Sequence, residues 1–320
     1  MRRIAVLTSG GDAPGMNAAI RAVVRKGIFH GCEVYGVRRG FAGLIEGDFR
    51  LFNLGSVADI IQTGGTILLT ARSEGFLTQV GRAEAFASVR RAGIEGLVVI
   101  GGDGSFKGAL IFHQETGVPV VMIPATIDND IPGTDYAIGF DTAVNNVVDA
   151  INKIRDTATS HERTFVVEVM GRHSEFIALY AGLAGGAESI LIPEAPFDLE
   201  AVCRKLLRGV RRGKLHSIIV VAEGAGSATE VAREVKAQTG FDTKLTILGH
   251  IQRGGTPTAF DRLLASVMGA RAVELLLAGE KCVAVGVVGG ELHHYNPVKL
   301  LSERKEIDRE LYRLAEILAI

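Results

Sequence analysis

Leu97-Val98-Val99-Ile100-Gly101-Gly102-Asp103-Gly104-Ser105 joins a short, mostly β-branched run to a glycine turn that holds a single carboxylate. A continuous apolar run of this length, closed by turn residues, predicts a strand buried on both faces. The same signature recurs at Ile4–Thr8, Glu33–Val37, Val118–Ile123, Thr164–Val169, Ser189–Ile192, Ser217–Ala222 and Cys282–Val287. Amphipathic segments lie between the runs, at Ala18–Phe29, Ala83–Ala92, Thr142–Thr157, Leu199–Arg211 and Ala265–Ala278. Strands alternating with helices predict an α/β fold with mostly parallel sheet covered on both faces. In such folds ligands bind where the carboxyl ends of strands meet glycine loops.

A chain of 320 residues, nearly half of them apolar, can bury a large core, and chains of this size usually divide it into two lobes. A break is expected near residue 140, and a second crossing near Gly249–Pro257. The formal charge of −1 argues against a nucleic-acid footprint, which needs a strongly basic face. Cys32, Cys203 and Cys282 form no CxxC pair, so neither a disulfide framework nor a thiolate zinc site is expected. The N-terminal apolar run is too short for a signal peptide, and no run approaches a membrane span, so a cytoplasmic protein is expected.

Three loops carry the candidate chemistry. The first, Thr8-Ser9-Gly10-Gly11-Asp12-Ala13-Pro14-Gly15, lets backbone N–H groups approach a phosphate, although a plain strand-to-helix turn explains it equally well. The second is the quoted Gly101–Ser105 turn, with Gly108 one helical turn further on; its Asp103 suits Mg²⁺, which takes few protein carboxylates. The third is Pro124-Ala125-Thr126-Ile127-Asp128-Asn129-Asp130. If extended, it points Asp128 and Asp130 the same way. Two carboxylates with separate tasks suit phosphoryl transfer, one accepting the proton of the attacking hydroxyl and one helping to hold a metal. A glycosidase also uses two carboxylates but has no need of glycine phosphate loops. Arg72, which follows a strand-like Ile67–Leu69, together with Arg163, Arg172 and Arg253, sits near strand ends or among glycines, where bidentate phosphate binding is the natural use. Glu223 closes a strand and could accept hydrogen bonds from sugar hydroxyls. His293 and His294 read as surface residues, with no metal spacing around them.

TSGGDAPGMNAAIR, VVIGGDGS, TIDNDIPGTD, IGFDTA, VEVMGRH and LGHIQRGG, in this order, closely resemble the phosphofructokinase family, and within it the bacterial members that use ATP. The resemblance covers almost the whole chain. It implies two similar three-layer α/β/α, Rossmann-like domains. The larger would bind ATP and comprise 1–140 with 253–305; the smaller would bind fructose 6-phosphate and comprise 141–252 with 306–320. It implies a glycolytic kinase that moves the γ-phosphoryl group of MgATP to the 1-hydroxyl of fructose 6-phosphate. In this reading Asp128 is the base, flanked by Thr126 and Asp130, with Gly11, Arg72 and Arg172 completing the catalytic group and Asp103 and Asp130 holding Mg²⁺. ATP would meet Gly11, Phe41, Arg72, Ser73, Gly102, Asp103, Gly104, Ser105 and Gly108. Fructose 6-phosphate would meet Thr126, Asp128, Asp130, Arg163, Met170, Gly171, Arg172, Glu223, Lys244, His250 and Arg253. A homotetramer follows from the resemblance, Arg163 reaching a neighbouring subunit's substrate. So does an effector site for ADP or phosphoenolpyruvate at Arg21, Arg25, Arg155, Glu188, Arg212 and Lys214.

The chain departs from the pattern at several positions. Lys244 stands where the family has Arg, Ala125 where it has Gly, and Phe41 where Tyr is common. Where the pattern runs MGRHAG or MGRYCG, this chain has Ser174 and Glu175. Pyrophosphate-using relatives carry Asp at the position of Gly104 and Lys at that of Ala125, so ATP is the expected donor. The alternatives are pyrophosphate as donor, another sugar phosphate as acceptor, or a weakly active phosphate-ligand sensor on the same scaffold.

Overall fold

The structure is a computed structural model that describes residues 1–171, 174–195 and 197–319. In chain order its strands are β1 (Arg3–Ser9), β2 (Glu33–Val37), β3 (Phe49–Phe52), β4 (Gly96–Gly101), β5 (Val120–Pro124), β6 (Thr164–Val169), β7 (Ser189–Leu191), β8 (Ser217–Ala222), β9 (Thr243–Ile247), β10 (Cys282–Val288) and β11 (Glu291–Tyr295). The helices are α1 (Met16–Phe29), α2 (Gly40–Glu46), α3 (Glu74–Leu77), α4 (Gln79–Ala92), α5 (Asp103–Thr116), α6 (Phe140–His161), α7 (Phe176–Ala184), α8 (Leu199–Arg211), α9 (Ala228–Thr239), α10 (Ala259–Leu277), α11 (Pro297–Ser302) and α12 (Arg309–Leu318). Two compact units result: Met1–Thr142 with Arg253–Lys305, and Ala143–Gln252 with the residues from Glu306 onward.

The first unit is built on a sheet of order β11-β10-β5-β4-β1-β2-β3. Its centre is parallel because Ile4, Val6, Val98, Ile100, Val121 and Ile123 are apolar and fully buried, which only helices on both faces can achieve. Register sets Ser9 opposite Gly101 and Gly101 opposite Pro124, so the loops leaving β1, β4 and β5 emerge side by side. The three candidate loops of the sequence are therefore neighbours at one sheet edge. Below that edge α5 turns Phe106, Ala109 and Phe112 into the core with Leu97, Val99 and Met122. Each fully buried Phe contributes roughly 2–3 kcal/mol of transfer free energy, which fixes the α5 N-terminus beneath its glycines.

The second unit holds a parallel sheet of order β7-β8-β6-β9. Val166, Ile219 and Val221 pack on Cys203, Leu206 and Val231, from the apolar faces of α8 and α9. Both sheets are covered by helices, and both are mostly parallel, as the alternation of runs and amphipathic segments requires.

Several local expectations change. The strand-like Ile67–Leu69 is a turn: Leu69 lies at φ 60, and its carbonyl accepts the Thr8 hydroxyl at 2.9 Å, so the segment docks on β1 through side chains instead of a ladder. β3, β9 and β11 escaped the pattern of buried runs because they are edge strands, largely solvent-facing, and β3 and β11 pair antiparallel. Cys32 and Cys203 are buried, whereas Cys282 is only half-buried. His293 and His294 are exposed on β11.

Candidate active site

A cavity of about 700 Å³ opens over the β1, β4 and β5 loops in the first unit. Its volume suits a mononucleotide-sized ligand. Gly11, Phe41, Arg72, Ser73, Gly102, Asp103, Gly104, Ser105, Gly108, Thr126, Asp128, Asp130 and Arg253 all line it.

Two glycines show why the backbone must be bare here. A Cβ on Gly101 would meet the Ser9 carbonyl at 2.5 Å and Ser105 Oγ at 2.6 Å, so only glycine lets β4 turn directly into α5. A Cβ on Gly11 would meet Arg253 Nη1 at 2.7 Å. That guanidinium instead lies over the loop and donates to the Asp12 carbonyl at 3.3 Å, presenting positive charge against a bare backbone. α5 begins without a side-chain cap, at Gly102, so its first N–H groups and its dipole are free for an anion.

The far end of the cavity is apolar. Phe41 and Phe76 stack at 4.1 Å between centroids, 12° from parallel, and Leu77, Ile111 and Gly108 adjoin them. The sequence pointed to Phe41 and Gly108 but missed Phe76, Leu77 and Ile111, which are distant in sequence and belong to no motif. It also missed Arg82, whose guanidinium clamps Glu115 through two hydrogen bonds of 2.7 Å and donates to the Phe76 and Leu77 carbonyls at 3.0 and 2.8 Å.

The carboxylate loop is not the extended segment expected. Residues 127–128 form a turn and Asn129 takes φ 51. The buried Asn129 side chain holds that conformation: its Nδ2 donates to the Asp135 carbonyl at 3.0 Å and its Oδ1 accepts from Ala137 N at 2.8 Å. Asp128 and Asp130 nevertheless both reach the cavity, and the Asp128 N–H donates to Thr126 Oγ1 at 3.2 Å. Burial, then the Asp128 and Asp103 carboxylates, push the Asp130 carboxyl above its ordinary range, while the Lys305 ammonium pulls it back. Lys305 was not anticipated. It donates to the Asp135 carbonyl at 2.8 Å, and burial brings it down to about 8. Asp103 is salt-bridged to Lys107 at 2.6 Å. No cluster of three or more metal-ligating side chains occurs among the described residues. Mg²⁺ needs no such cluster, since one or two carboxylates and the substrate phosphates suffice. The mutual repulsion that raises Asp130 is what a divalent cation would relieve, so the residues fit that ion.

Asp261 is a second residue the sequence did not single out. It is fully buried, and its carboxylate accepts from Gly139 N and Thr142 N at 2.8 Å each and from Thr142 Oγ1 at 2.5 Å. It thereby ties the start of α10 to the chain that leaves the carboxylate loop. Burial pushes it up to about 6 against these stabilising bonds.

In the second unit, Arg163 and Lys244 flank one acceptor, Asp242, at 2.6 and 2.9 Å, and hydrogen bonds from Lys244 and Arg163 hold that exposed carboxyl below its usual range. Met170 N donates to Oε1 of the fully buried Gln252 at 3.2 Å, and Gln252 Nε2 donates to the Gly249 carbonyl at 2.9 Å. Gly171, in the turn after β6, accepts from Gly224 N at 3.2 Å, beside the exposed Glu223. His250 is exposed on a short 3-10 helix, Gly249–Arg253. Arg172 lies outside the described residues.

Of the candidate effector residues, Arg155, Glu188 and Lys214 come together. Glu188, buried, pairs with Lys214 and accepts from Ile218 N. Arg155 donates to the Gly185 and Gly186 carbonyls and to His216 Nε2 at 3.2 Å. His216 was missed by the sequence reading; burial lowers it. Arg212 is exposed at the end of α8, and Arg21 and Arg25 lie on α1, in the first unit.

Residues 3–276 match the family model described as phosphofructokinase. The chain is 60% identical to a protein of Halothermothrix orenii and 59% identical to one of Halalkalibacterium halodurans, each covered over its full length and each named ATP-dependent 6-phosphofructokinase. Its fold superposes on phosphofructokinase from Saccharomyces cerevisiae with a TM-score of 0.90 at 38% identity, covering 94% of this chain and 45% of that longer one. A pyrophosphate-dependent phosphofructokinase from Marinobacter aquaeolei shares the fold at TM-score 0.86 and 23% identity, covering 98% of this chain and 91% of that one. With a family match over residues 3–276 and full-length relatives at this identity, the chain belongs to the phosphofructokinase family.

Proposed function

We propose that this protein transfers the γ-phosphoryl group of MgATP to the 1-hydroxyl of D-fructose 6-phosphate, giving fructose 1,6-bisphosphate and ADP. The observation that carries the reading is one cavity in which a glycine-bounded helix N-terminus, an apolar aromatic wall and a pair of carboxylates occur together. The full-length relatives bear the name of that activity.

The apolar wall formed by Phe41, Phe76, Leu77 and Ile111 is the physical argument for a nucleoside donor. Pyrophosphate has no base to pack against it. Gly104, where an added Cβ would meet no atom within 4 Å, leaves open space along the path of a polyphosphate. The α5 N-terminus and the Gly10–Gly11 turn supply N–H donors to the phosphates, and Arg72 neutralises charge on them. Asp103 and Asp130 would hold Mg²⁺, which when bound polarises the transferred group and offsets its charge. Asp128, flanked by Thr126, accepts the proton of the 1-hydroxyl as that oxygen bonds to phosphorus. The bridging oxygen keeps the electron pair of the broken bond and leaves with ADP. Arg163, Lys244, Arg172, Met170, Gly171, Glu223, His250 and Arg253 form the acceptor side by family correspondence, and Gly11 belongs to the catalytic group on the same basis. A cytoplasmic homotetramer, and control by ADP or phosphoenolpyruvate through Arg21, Arg25, Arg155, Glu188, Arg212 and Lys214, follow from the same correspondence. Among the described residues, no helix is long and apolar enough to cross a membrane.

The deciding assay is turnover of the purified protein with each donor, ATP or pyrophosphate, against fructose 6-phosphate and other hexose phosphates, with Mg²⁺. Preference for ATP with fructose 6-phosphate is expected. Preference for pyrophosphate overturns the donor assignment, and absence of turnover with every pair supports the sensor reading.

A further inference from the structure

Arg72 reaches the cavity with no support of its own. Its side chain is exposed, lines the cavity, and makes no hydrogen bond or ion pair among the described residues. A guanidinium on a flexible stem with no partner goes where its backbone sends it, so its aim depends on what fixes that backbone. Residues 58–73 form turns instead of helix or strand, so no ladder of hydrogen bonds fixes it. Leu68 is the one buried apolar side chain of that stretch, and it packs over the bare Cα of Gly36 on β2.

Polar side chains supply the other anchors, and two of them come from the first glycine motif and the helix it opens. Asn17, 1% exposed at the start of α1, shares its amide hydrogens among Thr63 Oγ1 at 2.9 Å and the Thr63 and Gly64 carbonyls at 3.2 Å each. Its Oδ1 accepts from Ile67 N at 2.8 Å. Thr8, fully buried near the end of β1, donates to the Leu69 carbonyl at 2.9 Å and hydrogen-bonds Thr66 Oγ1 at 2.9 Å. Thr70 Oγ1, two residues before Arg72, donates to the Gly10 carbonyl at 2.6 Å. All of these residues belong to the first unit. Gly10 and Gly11 line the cavity, whereas Thr8 and Asn17 do not. The backbone of the motif thus faces the ligand space, while its buried side chains seat the segment that brings a guanidinium to the same place. A buried amide that spends both ends on one turn fixes position and orientation together, which apolar packing does not.

We propose that Asn17 and Thr70 are positioning residues for phosphoryl transfer: they hold residues 63–70 against α1 and the first glycine loop, and so aim the Arg72 guanidinium at the phosphates of the donor. The inference rests on the donor-side role of Arg72 stated above. Neither residue touches substrate, and each acts through Arg72.

The test is a set of substitutions in the full chain. Thr70→Val keeps the shape and removes the hydroxyl, whereas Thr70→Ser keeps the hydroxyl. A misaimed guanidinium predicts that Thr70→Val and Asn17→Ala each lower kcat about tenfold, while Thr70→Ser stays within about twofold of the unaltered protein. In an Arg72→Ala background the same two substitutions cost less than about twofold more, because the group they aim is gone. Equal losses in both backgrounds, which a merely structural role would give, overturn the proposal, and so does full activity of Thr70→Val. Hydrogen exchange reads the seat without any substrate. The Ile67 amide and its neighbours in residues 63–72 should exchange faster in Asn17→Ala than in the unaltered protein, with β1 and β4 unchanged. Unchanged exchange at Ile67, or acceleration spread over β1 and β4 as well, overturns the local role of Asn17. Acceleration confined to 63–72 sustains it whatever the donor proves to be, so a wrong donor assignment and a wrong seat are told apart. Should Asn17→Ala not fold, the Thr70 pair decides the question alone.

Discussion

The first unit builds its cavity largely from backbone, whereas the second holds its candidate residues by pairing side chains. Around Gly10–Gly11 and Gly101–Ser105 the decisive features are bare Cα atoms, an uncapped helix start and two turns in register on neighbouring strands. Around Arg163 and Lys244 the decisive feature is a shared acceptor: Asp242 between two cations. A backbone cradle changes little with pH or with one surface substitution. A site held by paired ionisable groups responds to both. The difference predicts that donor affinity is robust and that acceptor affinity is the tunable quantity.

The largest expected effect removes the one titratable group the cradle cannot replace. Asp128→Ser should lower kcat by about three orders of magnitude, the middle of the range for a general base. Calorimetric binding of the nucleotide should survive; loss of binding along with turnover would make Asp128 a structural residue instead. Next comes the buried anchor of the carboxylate loop. Asp261→Ala strands the Gly139 and Thr142 N–H groups and should cost about 3 kcal/mol, read as a lowered denaturation midpoint. Because folding raises Asp261 from 3.8 to about 6, the stability tied to that group is greatest below about 3.8 and is lost as pH rises to about 6. A stability profile of the unaltered protein that is steeper over this window than that of Asp261→Asn is the expected signature; parallel profiles would remove Asp261 from the account.

A smaller effect probes the open space in the cradle. Gly104→Asp meets no atom at its Cβ, so the fold should be retained while the added charge opposes the phosphates and raises the KM for ATP about tenfold. Unchanged KM would place the polyphosphate elsewhere. The smallest is Lys244→Arg in the second unit. A planar fork in place of a point charge should lower the KM for fructose 6-phosphate about threefold, under about 1 kcal/mol. A higher KM would show that the shared Asp242 acceptor, not the ligand, decides the choice of cation.

This contrast also explains what could be read from the sequence. LVVIGGDGS, TSGGD and the buried β-branched runs carry their meaning locally, because a glycine turn after a buried strand is a short-range event. The conformation of the carboxylate loop was not local. Asn129 sits at φ 51 because Asp135 and Ala137 capture its side chain, and spacing alone predicted an extended segment. β9 was hidden because its residues are largely solvent-facing, and β3 and β11 are short antiparallel edges. Phe76, Arg82, Lys305, Asp261 and His216 were out of reach for one reason: each acts through a contact set by topology, with no motif around it. A carboxyl where glycine is usual was visible as an anomaly, but its burial was not.

The central claim is that Asp128, over the glycine cradle, takes the proton of the acceptor alcohol. A crystal structure with Mg²⁺, a non-hydrolysable ATP analogue and fructose 6-phosphate tests it most directly. The account predicts an Asp128 carboxylate oxygen about 2.6–3.2 Å from the 1-hydroxyl, with that hydroxyl in line with the γ-phosphorus. A 1-hydroxyl held instead by another residue, with Asp128 turned away from it, would contradict the account.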